Sequence, residues 1–135
     1  MSCARELPEG LLDEIAFAAL QSVIGDLDTS QANKLLEILE TTRSLNITLA
    51  FLARQVARRV WPLQAASRVA KVLQHSYVEG DVAKARYVTG LYKWLFEAGK
   101  GMRNAISDLM YKYRRTTAAP KGFFREYISA LLSLG

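Results

Sequence analysis

The residues of this chain that could perform catalysis or bind a metal are few and far apart. His75 is the only histidine and Cys3 the only cysteine, which excludes a paired-histidine metal site, an internal disulfide and a cysteine-based zinc site. No nucleophile–base arrangement surrounds His75, and nothing near Glu97 and Asp108 makes them an acid–base pair. We therefore predict that the chain is not an enzyme and that it holds no metal and no cofactor.

The segment Gly99-Lys100-Gly101 has the composition of a phosphate-binding loop without its pattern. It follows a predicted helix, not a strand, and the Gly-x-x-x-x-Gly-Lys-Ser/Thr spacing is missing. Because glycine is a poor helix former, we predict a break or bend of the helix at this segment.

Basic side chains are the charged groups that the sequence supplies in excess. Eighteen basic and thirteen acidic residues give the 135-residue chain a net charge of +5. Residues 1–42 hold two basic and eight acidic residues, whereas residues 43–135 hold sixteen basic and five acidic residues. The basic part favours a polyanionic partner such as nucleic acid, and it could also attract the acidic part of another copy. Charges that pair within one molecule on a solvated face are the alternative.

The interval between Glu40 and Glu79 contains no acidic residue. At 100° per residue Arg54, Arg58 and Arg59 fall on one arc of a predicted helix, opposite its apolar positions. Arg68 and Lys71 share one face of the next helix. Arginine suits a phosphate contact because its planar fork donates two parallel hydrogen bonds. We predict that six residues of this interval contact a nucleic-acid backbone: Arg43, Arg54, Arg58, Arg59, Arg68 and Lys71.

Two further features allow either a binding role or a structural one. Phe51 falls inside the basic arc of its helix, where it can lie against a sugar or base, but large apolar side chains are usually buried. A second basic cluster lies near a predicted helix C-terminus and consists of Lys112, Arg114 and Arg115. Cations at that end of a helix are stabilised by its dipole, by about 0.3–1 kcal/mol each, so the cluster need not touch a ligand.

Helical segments are predicted along the whole chain from apolar spacing and from Pro, Gly and capping residues. Asp28 and Gln31 have the spacing of a capping box, and Pro62 either begins a helix or kinks a longer one. The predicted segments run from Pro8 to Ile24, from Asp28 to about Arg43, from Asn46 to Val60 or Trp61, from Pro62 to Gly80, from Asp81 to about Gly99, from Met102 to Arg115, and from Pro120 onwards.

This pattern predicts an all-α, single-domain bundle of five to seven helices over residues 1–135, with residues 1–7 as a frayed N-terminal tail. No stretch approaches the roughly 18 uninterrupted apolar residues of a membrane span. Asp13 and Glu14 interrupt the only segment placed like a secretory signal. We therefore expect no membrane partner and a location in the reducing cytoplasm.

Three segments of the chain occur in the order and approximate spacing of a known family. They are Leu27-Asp28-Thr29-Ser30-Gln31-Ala32-Asn33-Lys34, Leu49-Ala50-Phe51-Leu52-Ala53-Arg54-Gln55, and the aromatic-rich run from Tyr87 to Glu97-Ala98. Together they resemble the small helical subunit of type III CRISPR interference complexes of the Csm kind, with the Cmr kind as a close second. The resemblance covers residues 27–98; Asn33 stands where the family usually has arginine, and residues 102–135 have no counterpart.

This resemblance implies a non-catalytic helical bundle inside a ribonucleoprotein complex. Its partners would be the backbone of guide RNA and target RNA, other CRISPR complex subunits and further copies of itself stacked head to tail. Arg54 is the basic residue that lies within a family-like segment. Two other classes are compatible with the same basic faces: a free-standing DNA-binding or packaging protein of viral type, and a helical protein–protein adaptor.

Overall fold

The computed structural model describes residues 7–76 and 81–133, and within them the chain forms an all-α bundle. This confirms the predicted fold class. The predicted frayed tail apart from Leu7, the lone Cys3 and the predicted helix end at Gly80 lie outside the described residues. The helices are α1 (Glu9–Ile24), α2 (Thr29–Thr42), α3 (Leu45–Ala57), α4 (Leu63–Ser76), α5 (Ala83–Gly101), α6 (Ser107–Tyr113) and α7 (Phe123–Leu132).

Helix α1 is the centre of the bundle. Its residues 15–23 are all buried, because α4, α5 and α7 pack around it. Residues 15–20 of α1 are apolar on every side, as expected for a helix in such a position. Helices α2 and α3 form an outer pair, in which α2 also packs on α5 and α3 also packs on α4. No helix of the described part is both long enough and apolar enough to cross a bilayer.

Helix α3 begins one residue earlier than predicted, at Leu45, and ends three or four residues earlier, at Ala57. Ser44, not Asn46, is its N-cap, and the Ser44 hydroxyl accepts a hydrogen bond from the backbone N–H of Ile47 at 3.1 Å. The helix ends at Ala57 because Arg59 has a left-handed backbone with φ of 62°. Pro62 therefore precedes a separate helix, α4, and does not kink a longer one.

The predicted capping box at the start of α2 is half correct. Asp28 is the N-cap, and its carboxylate accepts a hydrogen bond from the backbone N–H of Ser30 at 3.1 Å. The Gln31 side chain is used elsewhere: its carbonyl oxygen accepts hydrogen bonds from Gln55 at 3.0 Å and from the Trp61 indole at 3.2 Å. Gln55 and Trp61 are buried, so their N–H groups need an acceptor more than the exposed start of α2 does.

The predicted break at the Gly99-Lys100-Gly101 segment is confirmed and lies at its far end, because α5 continues through Gly99 and ends at Gly101. Gly99 is buried against Tyr127, and a Cβ atom at Gly99 would overlap the Tyr127 hydroxyl. That hydroxyl donates a hydrogen bond to the carbonyl of Leu95 at 2.8 Å. The glycine therefore permits a close approach of α7 to α5. Residues 102–106 then form turns, so α6 is shorter than the predicted segment from Met102 to Arg115.

Helix α7 begins three residues later than predicted, at Phe123 instead of Pro120. Its N-cap is Gly122, whose φ of 80° suits glycine. The buried carboxylate of Asp13 in α1 accepts hydrogen bonds from the backbone N–H groups of Gly122 and Phe124 at 2.9 and 2.8 Å. An acidic group supplied by the central helix thus satisfies and stabilises this helix start.

Candidate nucleic-acid interface

Three of the predicted contact residues form an exposed basic group at the C-terminal end of α3. Arg54 lies in the last turn, Arg58 is the C-cap and Arg59 follows it. All three are exposed, and none of them takes part in an ion pair between described residues. We call these residues the α3 arginine group. Their charges are available to a partner from outside the chain.

The rest of α3 positions this group by packing in the opposite direction. Leu52 is buried, and Leu49 and Val56 pack partly buried against the core. Phe51 also packs against the core, so the structure favours the structural role for this residue. Burial of these apolar side chains orients the arginines outward.

Arg59 has a backbone conformation that a side chain disfavours. Its φ of 62° lies in the left-handed region, which glycine adopts at lower cost. The turn is well formed around it, because the Arg59 N–H donates to the carbonyl of Val56 at 2.9 Å and the Val60 N–H to that of Gln55 at 2.9 Å. Attraction to the helix dipole explains positive charge at this end. The dipole does not explain why the residue with the left-handed backbone is an arginine and not a glycine.

The two predicted contacts on α4 are already paired with a carboxylate from the central helix. Lys71 Nζ lies 3.3 Å from Glu14 Oε2, and Arg68 Nη1 lies 4.0 Å from Glu14 Oε1. The side chains of Arg68 and Glu14 are only 19% and 17% exposed. The expectation of an uncompensated basic face on α4 is therefore wrong. Tertiary packing of α1 against α4 brings an acidic residue to cations that have none nearby in sequence.

The basic residues of α3 and α4 also do not form one continuous surface. An apolar groove between the two helices is lined by Val56 of α3 and by Ala70 of α4, among others. Arg54 is two residues from Val56 and so lies about 160° around α3 from the groove. Lys71, with His75, faces a different hollow beside the start of α1. A single strand running along both helices is thus not supported by the geometry.

Arg43 is also separate from the α3 arginine group. It is the exposed C-cap of α2, with a left-handed φ of 52°, at the opposite end of α3 from Arg58. At 1.5 Å per residue, α3 places about 20 Å between these two ends. Arg43 therefore provides a natural comparison for Arg59: it has the same residue type and the same backbone conformation at a distant position.

The second basic cluster, at the end of α6, is partly neutralised. Lys112 Nζ lies 3.6 Å from Glu126 Oε2, and the pKa of Lys112 is raised by its interaction with the Tyr113 side chain and then by Glu126. The Arg114 guanidinium lies 4.6 Å from the centre of the exposed Tyr111 ring. Arg114 and Arg115 are exposed and are in no ion pair between described residues. Only these two residues of the cluster are exposed and unpaired in the way that the α3 arginine group is.

Comparison of the chain with models of known protein families, with curated proteins and with solved structures finds no match. The described residues also contain no group of three or more His, Cys, Asp or Glu side chains placed to hold a metal ion.

Sequence reasoning missed a set of residues at the end of the bundle where α3 also ends. The Lys100 ammonium donates to the carbonyl of Leu27, and Arg103 lies 3.8 Å from the carboxylate of Asp26 and 3.4 Å from the carbonyl of Val23. Asp26 lines a surface hollow together with Arg59. No spacing in the sequence could have revealed this, because the residues come from three distant segments.

Proposed function

We propose that this chain is a non-catalytic, nucleic-acid-binding subunit whose α3 arginine group contacts the backbone of single-stranded RNA without sequence preference. The observation that carries the proposal is the exposure of Arg54, Arg58 and Arg59 without an ion pair to any described residue. Contacts of this kind neutralise phosphates and carry no sequence information by themselves.

The resemblance of residues 27–98 to the small subunit of type III CRISPR interference complexes gives this proposal a more specific form. The chain would bind guide RNA and target RNA beside other subunits, with sequence choice supplied by base pairing, as in other RNA-guided effectors. The all-α bundle and the position of Arg54 in a family-like segment support this assignment. We accordingly propose a cytoplasmic ribonucleoprotein as its setting.

The test compares two double variants that remove the same charge. R54A/R58A removes two unpaired arginines, whereas R68A/K71A removes the two cations that share the Glu14 carboxylate. Binding to fluorescently labelled single-stranded RNA is measured by anisotropy over a series of salt concentrations. We expect R54A/R58A to weaken binding and to lower the slope of log affinity against log salt by up to about 1 per arginine. R68A/K71A should keep a slope close to that of the parent chain.

An unchanged slope and affinity for R54A/R58A would rule out the α3 arginine group as the RNA contact. Tighter binding of the isolated chain to duplex DNA than to RNA would favour the DNA-packaging alternative. If R54A/R58A left RNA affinity intact but released a protein partner, the adaptor alternative would replace the proposal. Co-purification of the chain from its own cells, with and without R54A/R58A, tests whether guide RNA and larger Cas proteins accompany it.

A further inference from the structure

An open hollow of about 540 Å³ adjoins the α3 arginine group. It lies where the end of α3 meets the turn between α1 and α2, and its lining includes Asp26, Val56, Arg59, Val60, Pro62 and Leu63. The hollow combines apolar side chains with one cation and one carboxylate.

Backbone strain is concentrated at this hollow. The described part of the chain has three non-glycine residues with positive φ, and two of them, Asp26 and Arg59, line it. Each would be accommodated at lower cost by glycine. Non-glycine residues held in the left-handed region cluster at functional sites, so two such residues beside one hollow point to a function there.

The chemistry of the lining fits one nucleotide unit. The Arg59 guanidinium can bind a phosphate through two parallel hydrogen bonds. The apolar edge formed by Pro62 and the exposed Leu63 offers a surface against which a base can bury one face. Asp26 is held 3.8 Å from Arg103, and its carboxylate can accept hydrogen bonds from base N–H groups while repelling phosphate from that side.

We infer that this hollow binds one unstacked nucleotide of a single-stranded RNA, with the phosphate at Arg59 and the base toward Asp26. The inference rests on the proposed function and adds to it a site that receives a base as well as backbone. The α3 arginine group would then guide the strand to the hollow, and the left-handed backbone of Arg59 would place its side chain at the rim.

The chain carries its own reporter for this site. Trp61 lines the hollow and is buried, and its indole donates to Gln31 at 3.2 Å, whereas the other tryptophan, Trp94, is exposed on α5. The W94F variant therefore leaves Trp61 as the only source of tryptophan fluorescence. In this background we titrate a short single-stranded RNA and an abasic strand of the same length, and follow both anisotropy and Trp61 emission.

We expect the RNA to change Trp61 emission and to bind about fivefold more tightly than the abasic strand, because burial of one face of a base against apolar side chains contributes about that much. W94F/R59G should lose the emission change and the preference for bases. W94F/R43G removes the same residue type from the same backbone conformation elsewhere, and should retain both.

Equal affinity for the two strands with no change in Trp61 emission would overturn the inference while leaving the proposed function standing. Retention of both signals in W94F/R59G would also overturn it. If the chain bound neither strand in the anisotropy measurement, the proposed function itself would fail, so the two failures are distinguishable.

Discussion

Lys71 Nζ lies 3.3 Å from the carboxylate of Glu14, and this contact between α4 and α1 decides which basic residues are free. Arg68 approaches the same carboxylate at 4.0 Å, so one acidic side chain faces two cations. The α3 arginine group has no such carboxylate within ion-pair distance among the described residues. The position of this one carboxylate thus separates the predicted contacts on α4, which are paired, from those on α3, which are not.

Replacement of this carboxylate should destabilise the fold modestly. We expect E14Q to lower the free energy of unfolding by about 1 kcal/mol, because the partly solvated pairs with Arg68 and Lys71 are lost. E37Q is the matched control, since Glu37 is exposed on α2 and pairs with no described residue. Urea unfolding measures both, and equal stability of E14Q and E37Q would contradict the importance of the contact.

Arg43 and Arg59, which both have positive φ, should respond alike to glycine in stability and differently in RNA binding. R43G and R59G both relieve a positive φ, and glycine's greater freedom in the unfolded chain offsets part of the gain. We expect each variant to be as stable as the parent or more stable by up to about 1 kcal/mol. Only R59G should weaken RNA binding. Thermal unfolding and anisotropy on the same samples test this, and a destabilised R59G would show that the Arg59 side chain is needed for folding.

The capping contact from α1 to α7 should contribute strongly to stability. D13A leaves the backbone N–H groups of Gly122 and Phe124 without their acceptor at a partly buried site. Hydrogen bonds to charged groups contribute about 1.5–3 kcal/mol, so we expect a loss of that size. D108A removes an exposed carboxylate from α6 and should change stability by no more than about 0.5 kcal/mol. Similar unfolding midpoints for the two variants would argue against the capping role.

Two glycines of α5 should respond to alanine in opposite ways. G99A places a Cβ atom against the Tyr127 hydroxyl and the Ile106 side chain, and overpacking of this kind costs about 1–3 kcal/mol. G90A meets no atom within 4 Å and should stabilise the helix by about 0.5–1 kcal/mol. Circular dichroism during thermal unfolding gives both values. A stabilised G99A would mean that α7 does not pack this closely on α5.

Two buried tyrosines predict loss of stability in alkali. Burial raises the pKa of Tyr92 and of Tyr127 well above the ordinary value of 10.0. Their hydroxyls bond to Ser22 and to the carbonyl of Leu95, both at 2.8 Å. Below pH 10 both hydroxyls are protonated in either state. Above it the unfolded chain ionises first, so the free energy of unfolding falls by up to about 1.4 kcal/mol per pH unit for each tyrosine.

The Y92F variant tests this pH dependence. It should be less stable than the parent at pH 7, by about 0.5–1.5 kcal/mol, because the bond to Ser22 is lost. Its stability should then fall less steeply above pH 10, since one ionising group has been removed. Y111F removes an exposed hydroxyl instead and should keep the parent's steepness. Urea unfolding between pH 7 and pH 11 distinguishes the two variants, and identical slopes would refute the assignment.

The helical class, the end of α2 near Arg43 and the outward direction of the α3 arginines could all be predicted from the sequence. These features depend on apolar spacing and on residues within one or two turns of each other. Several helix ends could not be predicted, because their causes are not local. Asp13 caps α7 from another helix. The Gln31 side chain accepts hydrogen bonds from Gln55 and Trp61 and so does not cap α2. The lack of a side chain at Gly99 allows Tyr127 to pack closely against α5.

The same distinction applies to the candidate site. The sequence by itself determined that residues 43–135 carry an excess of positive charge and that Arg54 and Arg58 lie on the polar side of a helix. Only the tertiary structure decided which charges remain unpaired, because Glu14 meets Arg68 and Lys71 across a helix interface. It also brought Asp26 and Arg59 to one hollow. Electrostatic pairing depends on distance in space, and distance in sequence does not predict it once helices pack.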